Sequence, residues 1–215
     1  MKKSLLSIAL TTVLATSALV STQASATDIE GLSANVGVVS QYIFRGVVQT
    51  DTASASAGVD YETGGFYIGA WTADVQDGLE IDVYGGYGNE LDSGLGYSVG
   101  FTTYQYTGDF DTSYNEVNLG LSYGMFSVSY NVGEWEVEGG ADQDYDFLSA
   151  TIEHEGFYAT YGTWGDDFDG DYIEVGYGTE VSGFDVGVAV VSNSKELSGI
   201  GTSDENLVFS IGKSF

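Results

Sequence analysis

The sequence contains no cysteine and no proline, and only five of its 215 residues are basic. Without cysteine, an exported chain can form no disulfide, so its stability must come from another source. Proline cannot donate a backbone hydrogen bond, and it is therefore depleted from chains whose N–H groups nearly all join a β-ladder. The few basic residues face 32 acidic ones, which excludes nucleic acid as a partner because the phosphates would be repelled. The composition favours cations as partners.

Long hydrophobic runs are also missing, except near the N-terminus. Lys2 and Lys3 precede an apolar stretch from Leu5 to Val20, and the small residues Ala24-Ser25-Ala26 follow it. A basic start, an apolar segment and small residues at the cleavage positions are typical of a secretory signal peptide. The apolar stretch is too short and too often interrupted by hydroxyl groups to be a membrane anchor. We expect residues 1–26 to form a signal peptide that is cleaved after Ala26.

The rest of the chain alternates between apolar and polar residues with a period of two, which is typical of half-buried strands. No later stretch approaches the ~20 apolar residues of a spanning helix. A chain that crosses a membrane with strands must close into a barrel, because open edges cannot be satisfied in lipid. We predict an all-β fold, a single antiparallel transmembrane β-barrel of about 12 strands, within residues 27–215. The predicted strands are 32–46, 53–61, 66–74, 79–88, 95–106, 114–123, 126–133, 145–153, 157–164, 171–179, 184–191 and 205–215.

The connections between these strands alternate in length. The even-numbered ones are mostly tight and contain glycine, whereas several odd-numbered ones are long; the third, VQDG, departs from this alternation. Outer-membrane barrels have short periplasmic turns and longer outside loops, so we expect both termini to be periplasmic. On the last strand, Phe209, Ile211 and Phe215 share the lipid-facing side. This aromatic end is typical of the signal that the barrel assembly machinery recognises.

The first third of the chain also resembles a known family. The matching segments include ANVGVVSQYIFRGVVQTD at 34–51, with Tyr42, Arg45, Gly46 and Gln49, and the segments at 60–75 and 80–87. They resemble the TorF-type porins of proteobacterial outer membranes. The resemblance implies a porin-like barrel in the outer membrane of a Gram-negative bacterium, and it implies no substrate.

The strand alternation also divides the charged residues between the two faces. If Leu79, Val117, Ile173 and Val186 face lipid, several carboxylates and one arginine face the lumen. Rings of acidic residues select cations, so we predict a channel for the passive diffusion of cations or small polar solutes. The alternative is a non-conducting barrel whose acidic loops bind a partner, divalent cations or lipopolysaccharide. The predicted pore-lining residues are Arg45, Asp60, Glu62, Glu80, Asp82, Glu116, Glu174 and Asp185.

Residues suited to catalysis are scarce. His154 is the only histidine, and it has no oriented nucleophile near it in the sequence, so we predict that the protein is not an enzyme. We expect no cofactor other than a calcium ion bound by a loop. Oxygen ligands around a glycine turn suit Ca²⁺, although a solvated loop explains the same pattern. The candidate ligands, in the segment GDDFDGD, are Asp166, Asp167, Asp169 and Asp171.

Overall fold

A computed structural model describes residues 29–198 and 202–215 of the chain. The predicted signal peptide at residues 1–26 lies outside this described part. Within residues 29–198 and 202–215, no helix is long and apolar enough to span a bilayer. The strands are β1 (Leu32–Val39), β2 (Ile43–Phe44), β3 (Val47–Val48), β4 (Ser54–Thr63), β5 (Phe66–Val75), β6 (Gly78–Glu90), β7 (Leu95–Tyr106), β8 (Tyr114–Tyr123), β9 (Phe126–Trp135), β10 (Gln143–His154), β11 (Phe157–Asp166), β12 (Asp171–Val181), β13 (Phe184–Asn193) and β14 (Asp204–Ser214).

Strand β1 together with β4 to β14 forms a closed antiparallel barrel. The barrel closes because β1 pairs on both sides: Val38 lies opposite Ile211 of β14 and opposite Ala55 of β4. Closure leaves no unpaired strand edge. The predicted twelve-stranded antiparallel barrel is therefore confirmed, and β7 and β8 begin and end at the predicted residues.

The outer face of every barrel strand carries large apolar side chains that no other part of the protein covers. Phe66 is 64% exposed, and Val117 and Ile173 are also exposed, whereas their sequence neighbours on the opposite face are small, polar or buried. The alternation arises because successive side chains of a strand point to opposite faces. The result is a continuous apolar band around the barrel.

The two ends of the barrel differ in the length of their connections. At one end, here called the turn end, residues 64–65, 124–125, 155–156 and 182–183 form two-residue turns, and β1 begins and β14 ends at the same end. At the opposite end, called the loop end, the connections include 107–113, 136–142 and 194–203. The connection at 76–77 is the short exception among the loops, as the sequence indicates.

Inside the barrel, several tyrosine rings lie directly over glycines of the neighbouring strand. A Cβ atom added to Gly176 would lie 2.4 Å from the ring of Tyr158, and one added to Gly69 would lie 2.5 Å from the ring of Tyr84. The rings fill the space that a side chain on the paired residue would occupy, as in the aromatic rescue of glycine in sheets. The inward glycine–tyrosine pairs are Gly69–Tyr84, Tyr67–Gly86, Gly133–Tyr145, Tyr158–Gly176 and Gly162–Tyr172.

The prediction of one strand over residues 32–46 is wrong. β1 ends at Val39, and residues 41–53 leave the wall as a separate hairpin built on β2 and β3, here called the inward hairpin. Its turn consists of Arg45 and Gly46, whose φ angles are 47° and 84°. Two consecutive positive φ angles are the requirement of a two-residue type I′ turn. Apolar residues on both sides of this turn imitate a continuous strand, which explains the error.

Candidate functional site

The inward hairpin crosses the lumen of the barrel. Tyr42 donates a hydrogen bond to Glu80 of β6 at 2.7 Å, and Arg45 contacts Glu116 of β8. From the other side, Trp164 of β11 donates to the Arg45 carbonyl at 3.1 Å, and Asn193 of β13 donates to the Gly46 carbonyl at 2.6 Å. Because these strands lie on different sides of a closed wall, a segment that reaches all of them must lie inside it. The hairpin narrows the loop-end half of the lumen.

Arg45 anchors the tip of the hairpin to the wall. Its two terminal nitrogens bind the two carboxylate oxygens of Glu116 at 2.6 and 2.9 Å, and both side chains are buried. Such a bidentate pair fixes orientation as well as position. Glu116 also accepts hydrogen bonds from Tyr104, Tyr145 and Asn118. The carboxylate is thus surrounded by donors, as a buried charge requires.

Gly46, the second residue of the turn, allows the tip of the hairpin to lie close to the wall. Besides its positive φ, a Cβ atom at this position would lie 2.8 Å from Cβ of Tyr172 and 2.8 Å from Leu197. A larger residue would therefore push the hairpin tip away from the wall. Three of the four positions that the predicted resemblance singled out, Tyr42, Arg45 and Gly46, directly hold the hairpin in the lumen.

Two further carboxylates lie beside this anchor on β6. Glu80 is 1% exposed and Asp82 is 0% exposed. Within residues 29–198 and 202–215, no protein group donates a hydrogen bond to either oxygen of Asp82 or to Oε2 of Glu80. Together with Glu116 they form a group of buried carboxyl groups beside the inward hairpin, and Arg45 is the basic residue paired within this group.

Asp60, Glu62 and Asp185 lie on the same inward face but nearer the turn end. Glu174 shares this face and lies near the loop-end start of β12. Asp60 accepts a hydrogen bond from Tyr84, and Glu174 accepts one from Tyr158. Asp185 is buried and Glu62 is exposed at the rim. The structure thus separates Asp60, Glu62 and Asp185, in the turn-end half, from the other five residues in the loop-end half. Their role in a pore stays a prediction.

Apolar side chains pack the inward hairpin on both sides. Ile43, Phe147 and Val191 are each 0% exposed and form one cluster inside the barrel with Tyr172 and Val208. Tyr42 packs with Ala73 and Val75 in a second cluster. The hairpin is therefore a packed part of the fold and not a loose loop over the lumen.

Above the hairpin, at the loop end, lies a cavity of about 300 Å³ lined mainly by aromatic rings. We call it the aromatic cavity. The sequence alone does not indicate it, because its lining comes from strands and loops that lie far apart along the chain. Tyr104 lies opposite Asp82, and Tyr114 lies on the same strand face as Glu116. The alternation therefore indicates that both rings point inward, but it does not indicate which rings meet. The rings that line it are Phe44, Tyr104, Tyr106, Phe110, Tyr114, Tyr145, Trp164 and Phe168.

The predicted calcium ligands do not converge. Asp166 ends β11 with a φ of 61°, Asp169 accepts a hydrogen bond from the Gly170 amide, and Asp167 lies 3.3 Å from the amide of Asp144. In the part of the chain that the structure describes, no three acidic, histidine or cysteine side chains are grouped to hold a metal ion. Calcium binding by this loop stays a prediction, and Asp171 begins β12.

Two other predicted features lie at the turn end. His154 ends β10 with its side chain 69% exposed, and its nearest charged neighbour is Glu155 at 4.0 Å. On β14, Phe209 and Ile211 project from the outer face, and the ammonium of Lys213 lies 5.3 Å from the centre of the Phe215 ring. Their role in assembly stays a prediction.

Comparison with known proteins places the chain within a family and a fold. A family model described as "Bacterial protein of unknown function (Gcw_chp)" matches residues 23–192. This description does not mention TorF-type porins, so that resemblance stays a prediction. None of the curated proteins compared with the chain matches it.

Among solved structures, the chain is similar to the KdgM porin, with a TM-score of 0.56 and 10% identity over 85% of this chain and 98% of that chain. The KdgM porin in complex with disordered oligogalacturonate also has a TM-score of 0.56, at 11% identity and the same coverage. A chain from a study of the in-meso crystallization of membrane proteins has a TM-score of 0.58 at 11% identity and covers 85% of this chain and 83% of that one. At these identities the likeness concerns the fold.

Proposed function

We propose a function from the barrel itself, because the chain belongs to the Gcw_chp family of bacterial proteins of unknown function, whose description supplies no activity. The chain acts as a porin-like channel in the outer membrane of a Gram-negative bacterium. It allows passive diffusion of cations or small polar solutes. The observation that carries this proposal is a closed barrel with an apolar outer face and a group of inward carboxyl groups beside the hairpin.

The outer face supports a location in a membrane. Soluble monomers rarely expose contiguous apolar patches of more than a few hundred Å², whereas all twelve strands of this barrel contribute large exposed apolar residues to one band. Lipid is the solvent in which such a surface is stable, and a closed barrel satisfies the backbone there. Export by the predicted signal peptide leads to the same compartment.

The turn end carries an aromatic girdle that supports the same location. Phe66, Phe126, Phe157 and Phe184 each begin the strand that follows a short turn, and each is exposed on the outer face. Aromatic residues are enriched where a barrel meets the membrane–water interface. Lys213 lies at this end too, where its apolar stem can follow the lipid while its ammonium reaches the headgroups. Short turns are periplasmic in outer-membrane barrels, so we place both termini in the periplasm.

The loop end has a different chemistry on its outer side. Acidic residues such as Glu134, Asp144 and Asp171 lie there, near the strand ends beyond the apolar band. Facing the cell exterior, they would meet lipopolysaccharide phosphates through divalent cations, so lipopolysaccharide is the partner that we propose for this rim.

Inside the barrel, Glu80, Asp82 and Glu116 support a preference for cations. Acidic groups around a narrow path create a negative potential, and low-dielectric walls focus it. Arg45 neutralises part of this charge through its ion pair with Glu116, so Glu80 and Asp82 carry the excess. Solutes must also be small, because the inward hairpin occupies much of the same half of the lumen.

The packing of the hairpin also favours a second candidate function. A cluster that includes Ile43, Phe147 and Val191 fills part of the lumen, and a barrel filled in this way could be non-conducting, with its acidic loops binding a partner. This candidate requires that the hairpin remain packed at all times. It predicts no ion current through the intact protein.

Conductance in planar bilayers distinguishes the two candidates. The full-length protein is purified in detergent. A difference in gel migration between unboiled and boiled protein serves as the control for a closed barrel. Stepwise current increments of uniform size support the channel. A folded protein that inserts into bilayers without such increments would contradict it and support the non-conducting candidate.

We also propose that Phe209, Ile211 and Phe215 form the contact that the barrel assembly machinery recognises. The exposed positions of Phe209 and Ile211 on the outer face of β14 support this proposal. Replacement of Phe215 by aspartate should lower the amount of folded protein in the outer membrane. Replacement by tryptophan, which keeps the aromatic ring, should preserve it.

A further inference from the structure

We infer that the aromatic cavity at the loop end binds a small organic cation, such as a quaternary ammonium compound. The inference goes beyond diffusion through a channel, since binding here requires the folded barrel and its loops but no ion current. The cavity lies between the inward hairpin and the loops at 107–113 and 167–170. Its volume of about 300 Å³ is within the range of small-molecule sites, which are mostly apolar with a few polar groups.

The rings around the cavity form a closed circuit. Phe44 contacts Tyr104 with their centres 5.6 Å apart, Tyr104 contacts Tyr114 at 6.4 Å, and Tyr114 contacts Tyr145 at 6.1 Å. Tyr145 contacts Trp164 at 5.6 Å, and Trp164 returns to Phe44 at 6.5 Å. Aromatic cages of this kind recognise ammonium groups, because the ring faces carry negative potential.

Phe168 extends this circuit from the loop side. Its ring stacks on Tyr145 at 5.2 Å and lies 5.6 Å from Trp164. The hairpin side already holds one cation: the guanidinium carbon of Arg45 lies 4.8 Å from the Phe44 ring centre and 5.6 Å from that of Trp164. These rings therefore do accept positive charge in this protein. Glu116 pairs with the Arg45 cation, so its charge is balanced beneath the cavity.

The polar groups of the lining distinguish an organic cation from other small molecules. Among the described residues that line the cavity there are two aspartates, Asp111 and Asp169, and neither lysine nor arginine. Asp111 is fixed in place because Trp135 donates to it at 3.1 Å, Tyr114 at 2.7 Å and the Thr112 amide at 2.7 Å. A fixed carboxylate next to aromatic faces complements an ammonium head and repels an anion. A neutral sugar would leave the charge of Asp111 unbalanced, whereas an ammonium group balances it.

Choline and its uncharged carbon isostere, dimethylbutanol, test the inference directly. Trp164 lines the cavity and Trp135 contacts Tyr114, so tryptophan fluorescence of the detergent-solubilised full chain should report binding. Trp71 lies outside the lining, and a Trp71→Phe background removes its signal. We expect choline to cause a saturable change and dimethylbutanol to bind at least about tenfold more weakly, which corresponds to one ammonium interaction.

Two pairs of variants locate the site. Asp111→Asn, which keeps the shape and removes the charge, should weaken choline binding about tenfold. Asp109→Asn removes the same charge from an exposed position in the same loop, outside the lining, and should leave binding unchanged. Phe168→Leu keeps the apolar volume and removes the ring, so it should weaken the binding of choline more than that of dimethylbutanol. The shift of gel mobility on boiling confirms that each variant is folded.

Each opposite result would overturn the inference. Equal binding of choline and dimethylbutanol, or choline binding unaffected by Asp111→Asn, would mean an unspecific apolar pocket. Saturable binding of a neutral disaccharide such as cellobiose without a response to choline would assign the cavity to sugars. No saturable response to choline by folded protein would remove the site altogether. None of these results depends on whether the barrel conducts ions.

Discussion

The two halves of the lumen are built from the same strands and yet differ in the size of most of their inward side chains. In the loop-end half, the inward positions hold large or charged side chains, among them Asp82, Glu116, Tyr145 and Phe147, and the inward hairpin lies between them. In the turn-end half, most inward positions are small, as in Gly120, Ser127 and Ser149. We call them the narrow half and the wide half.

The difference shows that strand number does not by itself determine how open a barrel is. Twelve strands enclose more space than the eight whose side chains can fill a barrel. Here the inward hairpin, which connects β1 to β4, fills the space that the wall leaves empty in the narrow half only. The narrow half therefore depends on contacts of the inward hairpin with the wall, above all the pair of Arg45 with Glu116. Passage through the barrel should be controlled in this half.

Removal of the inward hairpin should have the largest effect. Val39 and Ser54 are paired neighbours, so a two-residue Asn-Gly turn can replace residues 40–53 without a change of register. Because the narrow half would then resemble the wide half, we expect single-channel conductance in planar bilayers to rise several-fold. A matched control replaces part of the loop at 136–142 with a short turn and should leave conductance nearly unchanged. Equal conductance of hairpin-deleted and intact protein would contradict the distinction between the two halves.

Breaking the anchor of the hairpin should have the next largest effect. Arg45→Ala leaves the carboxylate of Glu116 buried without its ion pair, which costs about 3–5 kcal/mol in the free energy of unfolding. We expect a lower urea midpoint in detergent and more frequent open-state fluctuations in bilayers. Combining Arg45→Ala with Glu116→Ala removes the orphaned charge and should recover most of the lost stability. A double variant that is as unstable as Arg45→Ala would show that the orphaned charge of Glu116 is not the cause of the lost stability.

The contrast between the halves also explains which parts of the structure the sequence could predict. The wall was predictable because each strand repeats one rule, apolar outside and polar or small inside, and Val117 beside Glu116 obeys it as clearly as Ile173 beside Glu174. Errors at strand ends remained within a few residues. The wide half follows from the same rule, since its inward residues are simply the small partners of the lipid-facing ones.

The narrow half was harder to predict because it depends on a turn and on distant contacts. Arg45 adopts a positive φ, which is uncommon for a residue other than glycine, so Arg-Gly is a weak turn signal beside Asn-Gly. The apolar residues Ile43 and Val47 around it suit a strand equally well. The burial of Ile43 against Phe147 and Val191 brings together residues more than a hundred positions apart, and no local pattern indicates such contacts. The aromatic cavity escaped prediction for the same reason.

Charge should matter more in the narrow half than in the wide half. Glu80→Gln with Asp82→Asn removes two carboxylates next to the hairpin without disturbing the Arg45–Glu116 pair. Asp60→Asn with Glu62→Gln removes two from the wide half and is the matched control. We expect the first pair to lower cation preference clearly and the second to lower it less, since salt screens charges over about 10 Å at 0.1 M in open water. Reversal potentials across a salt gradient measure both, and an equal effect of the two pairs would contradict the expected difference.

Added bulk should have the smallest effect when it is placed in the wide half. Ser127 is exposed on the inward face, opposite Thr151 and Ser122, so Ser127→Trp places a ring in open space. Since the resistances of the two halves add in series and the narrow half dominates, we expect conductance to fall only slightly. The matched variant Gln49→Trp places the same ring on the inward hairpin, where Gln49 lines the aromatic cavity, and should reduce conductance strongly. If Ser127→Trp blocks current as much as Gln49→Trp does, the passage is limited along its whole length and the inward hairpin is not its controlling element.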